Sequence, residues 1–134
     1  LKDIAMKLLT ILPLLLLAGC ASNVALKDTS DATQAVGTLH LGWLQANSME
    51  VMLDGKRYVG KWDSERCLNV ECRGVYRNVS KVHRRHIEKG QALLKSRDGD
   101  HLDCEWVSHL PDLHGTCRAQ DDSVFKLVEA KPIK

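Results

Sequence analysis

An excess of charge of one sign is missing from this chain. It holds 19 lysines and arginines against 17 aspartates and glutamates, a formal net charge of +2. A balance this close to zero argues against a general nucleic-acid binder. Aromatic residues are scarce: three tryptophans, two tyrosines and one phenylalanine. Trp43, Tyr58, Trp62, Tyr76, Trp106 and Phe125 all fall in stretches that read as strand. Core packing therefore accounts for them before any binding role does. None of Ser48, Ser80, Ser96 or Ser108 sits in a glycine-flanked nucleophile elbow. Asp98, Asp100 and Asp103 cluster near a turn, as turn residues do. There is no Cys-x-x-Cys redox motif, since four residues separate Cys67 from Cys72. No convincing internal repeat emerges. No apolar run reaches the ~20 residues that a permanent membrane-spanning helix needs. No catalytic residue stands out, and the expectation is a non-enzyme without a cofactor.

What is present begins with Met6-Lys-Leu-Leu-Thr-Ile-Leu-Pro-Leu-Leu-Leu-Leu-Ala-Gly-Cys20. A lysine follows the methionine, an apolar run covers Leu8 to Leu17, and small residues close it. The length suits a secretory signal rather than a span. With Leu17-Ala18-Gly19-Cys20 at its exit, the stretch resembles the signal peptide and lipobox of a bacterial lipoprotein. The resemblance implies that residues 1–19 are removed and that Cys20 becomes the acylated first residue, palmitate included. Several acyl chains give stable anchoring where one is marginal. Leu1 to Ala5 precede the methionine and play no part in that signal.

The same resemblance implies a cell-envelope address. In Gram-negative lipoproteins an aspartate directly after the lipidated cysteine tends to retain the protein in the inner membrane. Ala21 and Ser22 stand there instead, which favours the outer membrane. The closing stretch runs from Gly90 through Leu102-Asp-Cys-Glu-Trp106 and Gly115-Thr-Cys117 to Phe125. It loosely resembles small lipoproteins of Gram-negative bacteria that have no assigned activity.

Without residues 1–19 the chain keeps 115 of its 134 residues, 17 of them basic and 16 acidic. One small domain is expected. Residues 20–35 read as the lipidated cysteine and a flexible tether, small and polar, spanning roughly 20 Å. Residues 36–134 read as a small β domain. Val36 to Gln45 alternates loosely around Leu39, Leu41 and Trp43. Met49 to Trp62 reads as a hairpin about Asp54-Gly55 that pairs Val51 with Tyr58 and puts Leu53, Tyr58 and Trp62 on one face. Asp63 to Arg73 reads as a loop, and Val75 to Val79 as a short strand. Gln91 to His109 forms a second hairpin around Asp98-Gly99. Leu102, Cys104 and Trp106 share its buried face with Leu93. A last hairpin turns at Gln120-Asp121-Asp122 and brings Cys117 to the side of Phe125 and Leu127. The expected class is all-β, a small antiparallel sandwich or open barrel of six to eight strands.

Setting Cys20 aside leaves Cys67, Cys72, Cys104 and Cys117. In an exported chain an even number reads as two disulfides. Cys104 and Cys117 lie on facing sides of strands that return as neighbours, so they are expected to pair. Cys67 and Cys72 then pair across a short loop.

Two polar groupings remain. Lys81, Arg84, Arg85 and Lys89 form a basic segment suited to lipopolysaccharide phosphates, lipid headgroups or an acidic envelope partner. His83 and His86, with His101, His109 and His114 further on, could be read as a metal or stress-response binding set. Arg84 and Arg85 lie between the first two and oppose a cation, so no metal site is expected. Three functions follow, in order. The first is a non-enzymatic envelope module anchored to the membrane through Cys20. The second is a binder of anionic envelope components through 81–89. The third is a periplasmic metal or stress-response protein.

Overall fold

Four tight turns at one end decide how the strands pair. In the computed structural model, residues 21–42, 44–67, 69–76, 86–109 and 112–130 are described. Eight strands follow one another: β1 (Ala21–Lys27), β2 (Thr33–His40), β3 (Ser48–Leu53), β4 (Lys56–Arg66), β5 (Glu88–Lys95), β6 (His101–His109), β7 (Asp112–Ala119) and β8 (Val124–Glu129). One short helix, α1 (Val70–Val75), lies between β4 and β5. Each strand pairs antiparallel with the next, and β1 pairs with β8 to close the barrel.

Each turn has its own left-handed residue. Asp54 and Gly55 have φ of 53° and 75°, the pair of positive values that a two-residue hairpin turn requires. The other turns use Asp31 at 66°, Gly99 at 91° and Asp122 at 67°. Aspartate tolerates this region better than most side chains. The Asp54-Gly55 turn sets Val51 opposite Tyr58, the expected register.

Inward positions build one core. Val24, Leu26, Met49, Val51, Leu94, Leu102, Leu113 and Leu127 are fully buried, together with Cys104 and Cys117. An eight-stranded barrel is just wide enough inside for side chains to fill it. Trp106 claims the most room, and its ladder neighbours on both sides are glycines, Gly90 and Gly115. A Cβ on Gly90 would overlap the Trp106 indole. Outward positions are charged in number: Glu50, Arg57, Lys61, Asp103, Glu105 and Arg118 are examples. That is the reverse of a lipid-facing barrel wall, which carries an apolar band. Among the described residues, no helix is long and apolar enough to cross a membrane.

The all-β antiparallel class with two disulfides stands. The tether over residues 20–35 does not. Residues 21–27 are β1, with Val24, Ala25 and Leu26 buried, and β2 begins at Thr33. The short apolar run Val24-Ala25-Leu26 becomes a strand because β2 and β8 both offer it open edges. The polar stretch after it is an ordered turn. Asp28 Oδ1 accepts from Ser30 N at 2.9 Å, Ser30 Oγ at 2.6 Å and Ala32 N at 3.1 Å.

Three further expectations change. Leu93 points outward and is 53% exposed, while Leu94 is buried. The connection between Lys95 and His101 is five residues long, which sets Leu94 opposite Leu102 and Leu93 opposite Asp103. The expected loop from Asp63 is strand as far as Arg66. Its polar sequence hides no period because both its faces are open, and pairing with β5 holds it. Val75 ends α1 rather than starting a strand, and residues 77–79 lie outside the described residues.

Candidate functional site at the barrel mouth

The end opposite the four turns is the mouth. β1 starts there, β8 ends there, and the chain passes from β2 to β3, from β4 to β5 and from β6 to β7 at that end. Inward positions turn polar as the strands reach it. Ser22, Glu88 and Ser108 line a cavity of about 110 Å³ whose other walls are Leu39, Leu41, Trp62 and Trp106. Ligand pockets usually hold ~300–1,000 Å³. This one admits no more than a small apolar group.

Trp62 and Trp106 form the floor. Their rings meet edge to face, with centroids 5.9 Å apart and planes at 64°. The Trp62 indole N–H is shared between the carbonyls of His40 at 3.2 Å and Ser48 at 3.0 Å. Its backbone N–H donates to Asn47 O at 3.1 Å, and Asn47 Oδ1 accepts from Gly42 N at 3.0 Å. These bonds tie both ends of the β2–β3 connection to the wall. The leucines of that connection stay open to solvent: Leu41, at the rim of the cavity, is 52% exposed and Leu44 89%.

The β4–β5 connection is clamped to the outside of the wall. Cys67 and Cys72 are disulfide-bonded, with Cα atoms 6.1 Å apart. Cys67 N donates to Ile87 O at 3.0 Å. Cys67, Cys72, Tyr76 and Ile87 form a second small core against Val107. The Tyr76 hydroxyl reaches the carbonyls of Val107 at 3.3 Å and Asp112 at 3.2 Å. Burial pushes its pKa up to about 12. The second disulfide is inside the barrel. Cys104 and Cys117 are ladder partners with Cα atoms 4.0 Å apart, so both expected pairings are present.

The expected site residues fare unequally. Cys20 lies outside the described residues, as do Lys81, Arg84, Arg85 and His83. Lys89 is exposed on the outer face of β5, between Glu65 of β4 and Val107 of β6. His109 and His114 flank the Tyr76 ring, each with its centroid 5.9 Å away. His101 opens β6 at the far end. The structure therefore brings two of the five histidines to one tyrosine. Among the described residues, no three His, Cys, Asp or Glu gather as a metal ion would need. Near them the Glu129 carboxylate accepts from Leu113 N at 3.0 Å. Burial raises its pKa, but that bond and the nearby His114 outweigh it and hold the carboxyl below its usual range.

The sequence reading missed this mouth. Trp62 and Trp106 were legible as core residues on separate hairpins, but their meeting depends on β4 lying beside β5. A usable signal was present in Gly90 and Gly115, the small residues that make room for an indole. No protein-family model matches the chain, and no curated protein or solved structure matches it either.

The turn end is also dense in charge. The four turns carry Asp28 and Asp31, then Asp54, then Asp98 and Asp100, then Asp121 and Asp122. Arg57, Lys95, Arg97, Arg118 and three further lysines lie at or beside the same turns. Lys56 Nζ lies 2.8 Å from Asp98 and 2.6 Å from Asp100. Lys27 and Lys126 approach Asp31 at 3.7 and 3.9 Å. At the mouth, the connection from Leu41 to Asn47 has no charged residue. The sequence between β4 and β5 holds Arg73, Arg77, Lys81, Arg84 and Arg85 against Glu71 alone.

Proposed function

We propose that this protein is a lipid-anchored envelope protein, a non-enzymatic module held at the membrane through Cys20. The observation that carries the reading is Leu17-Ala18-Gly19-Cys20 after a lysine-led apolar run. Two disulfides agree with an oxidising compartment. The filled barrel and its cavity of about 110 Å³ favour a surface role over binding within a lumen. The outer membrane is the preferred address, because Ala21 rather than aspartate follows Cys20. Cys20→Ser is expected to abolish flotation with membranes and incorporation of labelled palmitate. A Cys20→Ser protein that still floats and carries the label would overturn the reading.

A second reading rests on the basic sequence from Lys81 to Lys89. In it, Lys81, Arg84, Arg85 and Lys89 engage anionic envelope components such as lipopolysaccharide phosphates or lipid headgroups. Attraction of that kind weakens with salt. Binding to anionic vesicles that falls steeply between low and physiological salt supports it. Salt-independent binding, or none, counts against it.

A further inference from the structure

We infer that the barrel stands mouth-down on the membrane, with Leu41 and Leu44 seated in the lipid interface beside the anchor. This rests on the lipoprotein reading and adds the surface that meets the lipid. The first observation is the absence of slack. β1 begins at Ala21, one peptide link after Cys20, so their Cα atoms are about 3.8 Å apart. A chain attached at Cys20 therefore holds the rim of the barrel at the headgroups, where a fifteen-residue tether would have let it drift.

The second observation is register. Ala21 is the ladder partner of His40, the last residue of β2. Leu41 leaves the sheet directly after His40, on the strand beside the anchor. Leu41 and Leu44 are among the exposed large apolar side chains of the molecule, and Leu44 is 89% exposed. Trp62 and Asn47 fix the connection that displays them. Apolar side chains presented next to an acyl anchor add buried area to it, and binding grows with that area.

The third observation is the charge of the two ends. The turn end is dense in charge of both signs, its seven aspartates facing Lys27, Lys56, Arg57, Lys95, Arg97, Arg118 and Lys126. The described mouth connection from Leu41 to Asn47 is uncharged. Taking charged groups out of water is costly, so a lipid interface accepts the uncharged connection more readily than the charged turns. A barrel lying on its side would present Met52, Val59 and Leu93, but each with a charged ladder partner, Arg57, Glu50 and Asp103 in turn. The occupant is thus the lipid surface in which the anchor sits.

The test uses the lipidated full chain reconstituted into vesicles of phosphatidylethanolamine and phosphatidylglycerol. The mass of its N-terminal peptide reports whether Cys20 carries lipid. Tryptophan is placed at the mouth (Leu44→Trp) or at the opposite turn (Gln120→Trp), both exposed positions. Lipids brominated in the acyl chain then quench whichever indole they reach. An unchanged circular-dichroism spectrum confirms that each variant is folded. Quenching gained over wild type is expected to be at least about twofold larger for L44W than for Q120W. Equal quenching, or more at residue 120, overturns the mouth-down orientation while the anchor stands. An N-terminal peptide without lipid overturns the anchor, and the orientation with it.

Discussion

The turn end and the mouth of this barrel are held by different forces. At the turn end, short connections stay in place through left-handed aspartates and glycines, Asp28 accepting from its own loop, and Lys56 bridging two hairpins. Almost everything there is in contact with water. At the mouth, two of the three connections are longer and their anchors are buried: two tryptophans edge to face, a disulfide, and a tyrosine hydroxyl on two carbonyls. Local turn chemistry can fix a two-residue loop by itself. A connection as long as the one from β4 to β5 has no such local solution and needs tertiary contacts to offset its ordering cost. The difference predicts that damage at the mouth spreads through the fold, while damage at the turns stays local and depends on salt and pH.

The largest effect is expected from Trp106→Ala. The indole is 3% exposed, packs on Trp62 and fills the space left by Gly90 and Gly115. Large-to-small changes of this kind cost ~3–5 kcal/mol. Denaturant unfolding should show a loss in that range, together with loosening of the β2–β3 connection in hydrogen exchange. A loss below about 1 kcal/mol would mean that the mouth is not an extension of the core.

The disulfides give an intermediate effect and sharpen the contrast. Removing Cys104 and Cys117 together opens a crosslink with sequence separation 13, worth ~3 kcal/mol by chain entropy. Removing Cys67 and Cys72 opens one with separation 5, worth roughly 2 kcal/mol by the same relation. The site of the damage should also differ. The first pair spans the barrel wall, so its loss lowers global stability. The second fastens α1, so proteolysis near residues 69–76 should rise before the barrel melts. Equal proteolysis in both double variants would erase that distinction.

The hairpins were legible because alternation and turn chemistry agree within each of them. Asp54-Gly55 set the Val51–Tyr58 register, and the faces of Cys104 and Cys117 followed from Leu102, Trp106 and Phe125. Leu93 shows the limit of this reasoning. One residue more or less in the Ser96–Asp100 connection exchanges the faces of β5. β1 was harder still. Val24-Ala25-Leu26 is too short to declare itself, and its strand exists because β8, a hundred residues away, needs a partner. Closure of the barrel is therefore a property of the chain's two ends together, which no local pattern carries. The mouth inherits the same difficulty: Leu41 reads as one more alternating position of a strand until β2 is seen to stop at His40. The tether that seemed to separate anchor from domain turned out to be wall, and that change gives the anchor its consequence for orientation.

The smallest effect is expected at the turn end, from Lys56→Met. Lys56 sits between Asp98 and Asp100, and their hydrogen bonds and charges push its pKa above the ordinary lysine value. Lys56 in turn holds the Asp98 carboxyl below its usual range. The signs follow by linkage. The raised lysine contributes stability that is complete below its unfolded value of 10.5 and is lost as pH rises through the folded value. The depressed aspartate contributes stability that is complete above 3.8 and is lost as pH falls through its folded value. K56M removes both contributions. Its melting temperature should therefore fall slightly below wild type at pH 7, and the two should converge at both pH extremes. Solvent screens these groups, which are 41% and 59% exposed at their side chains, so added salt should narrow the gap at pH 7 as well. A pH 7 difference that persists in 1 M salt would show that Lys56 acts through packing rather than charge. The turn end would then be built like the mouth, and the contrast between the two ends would be lost.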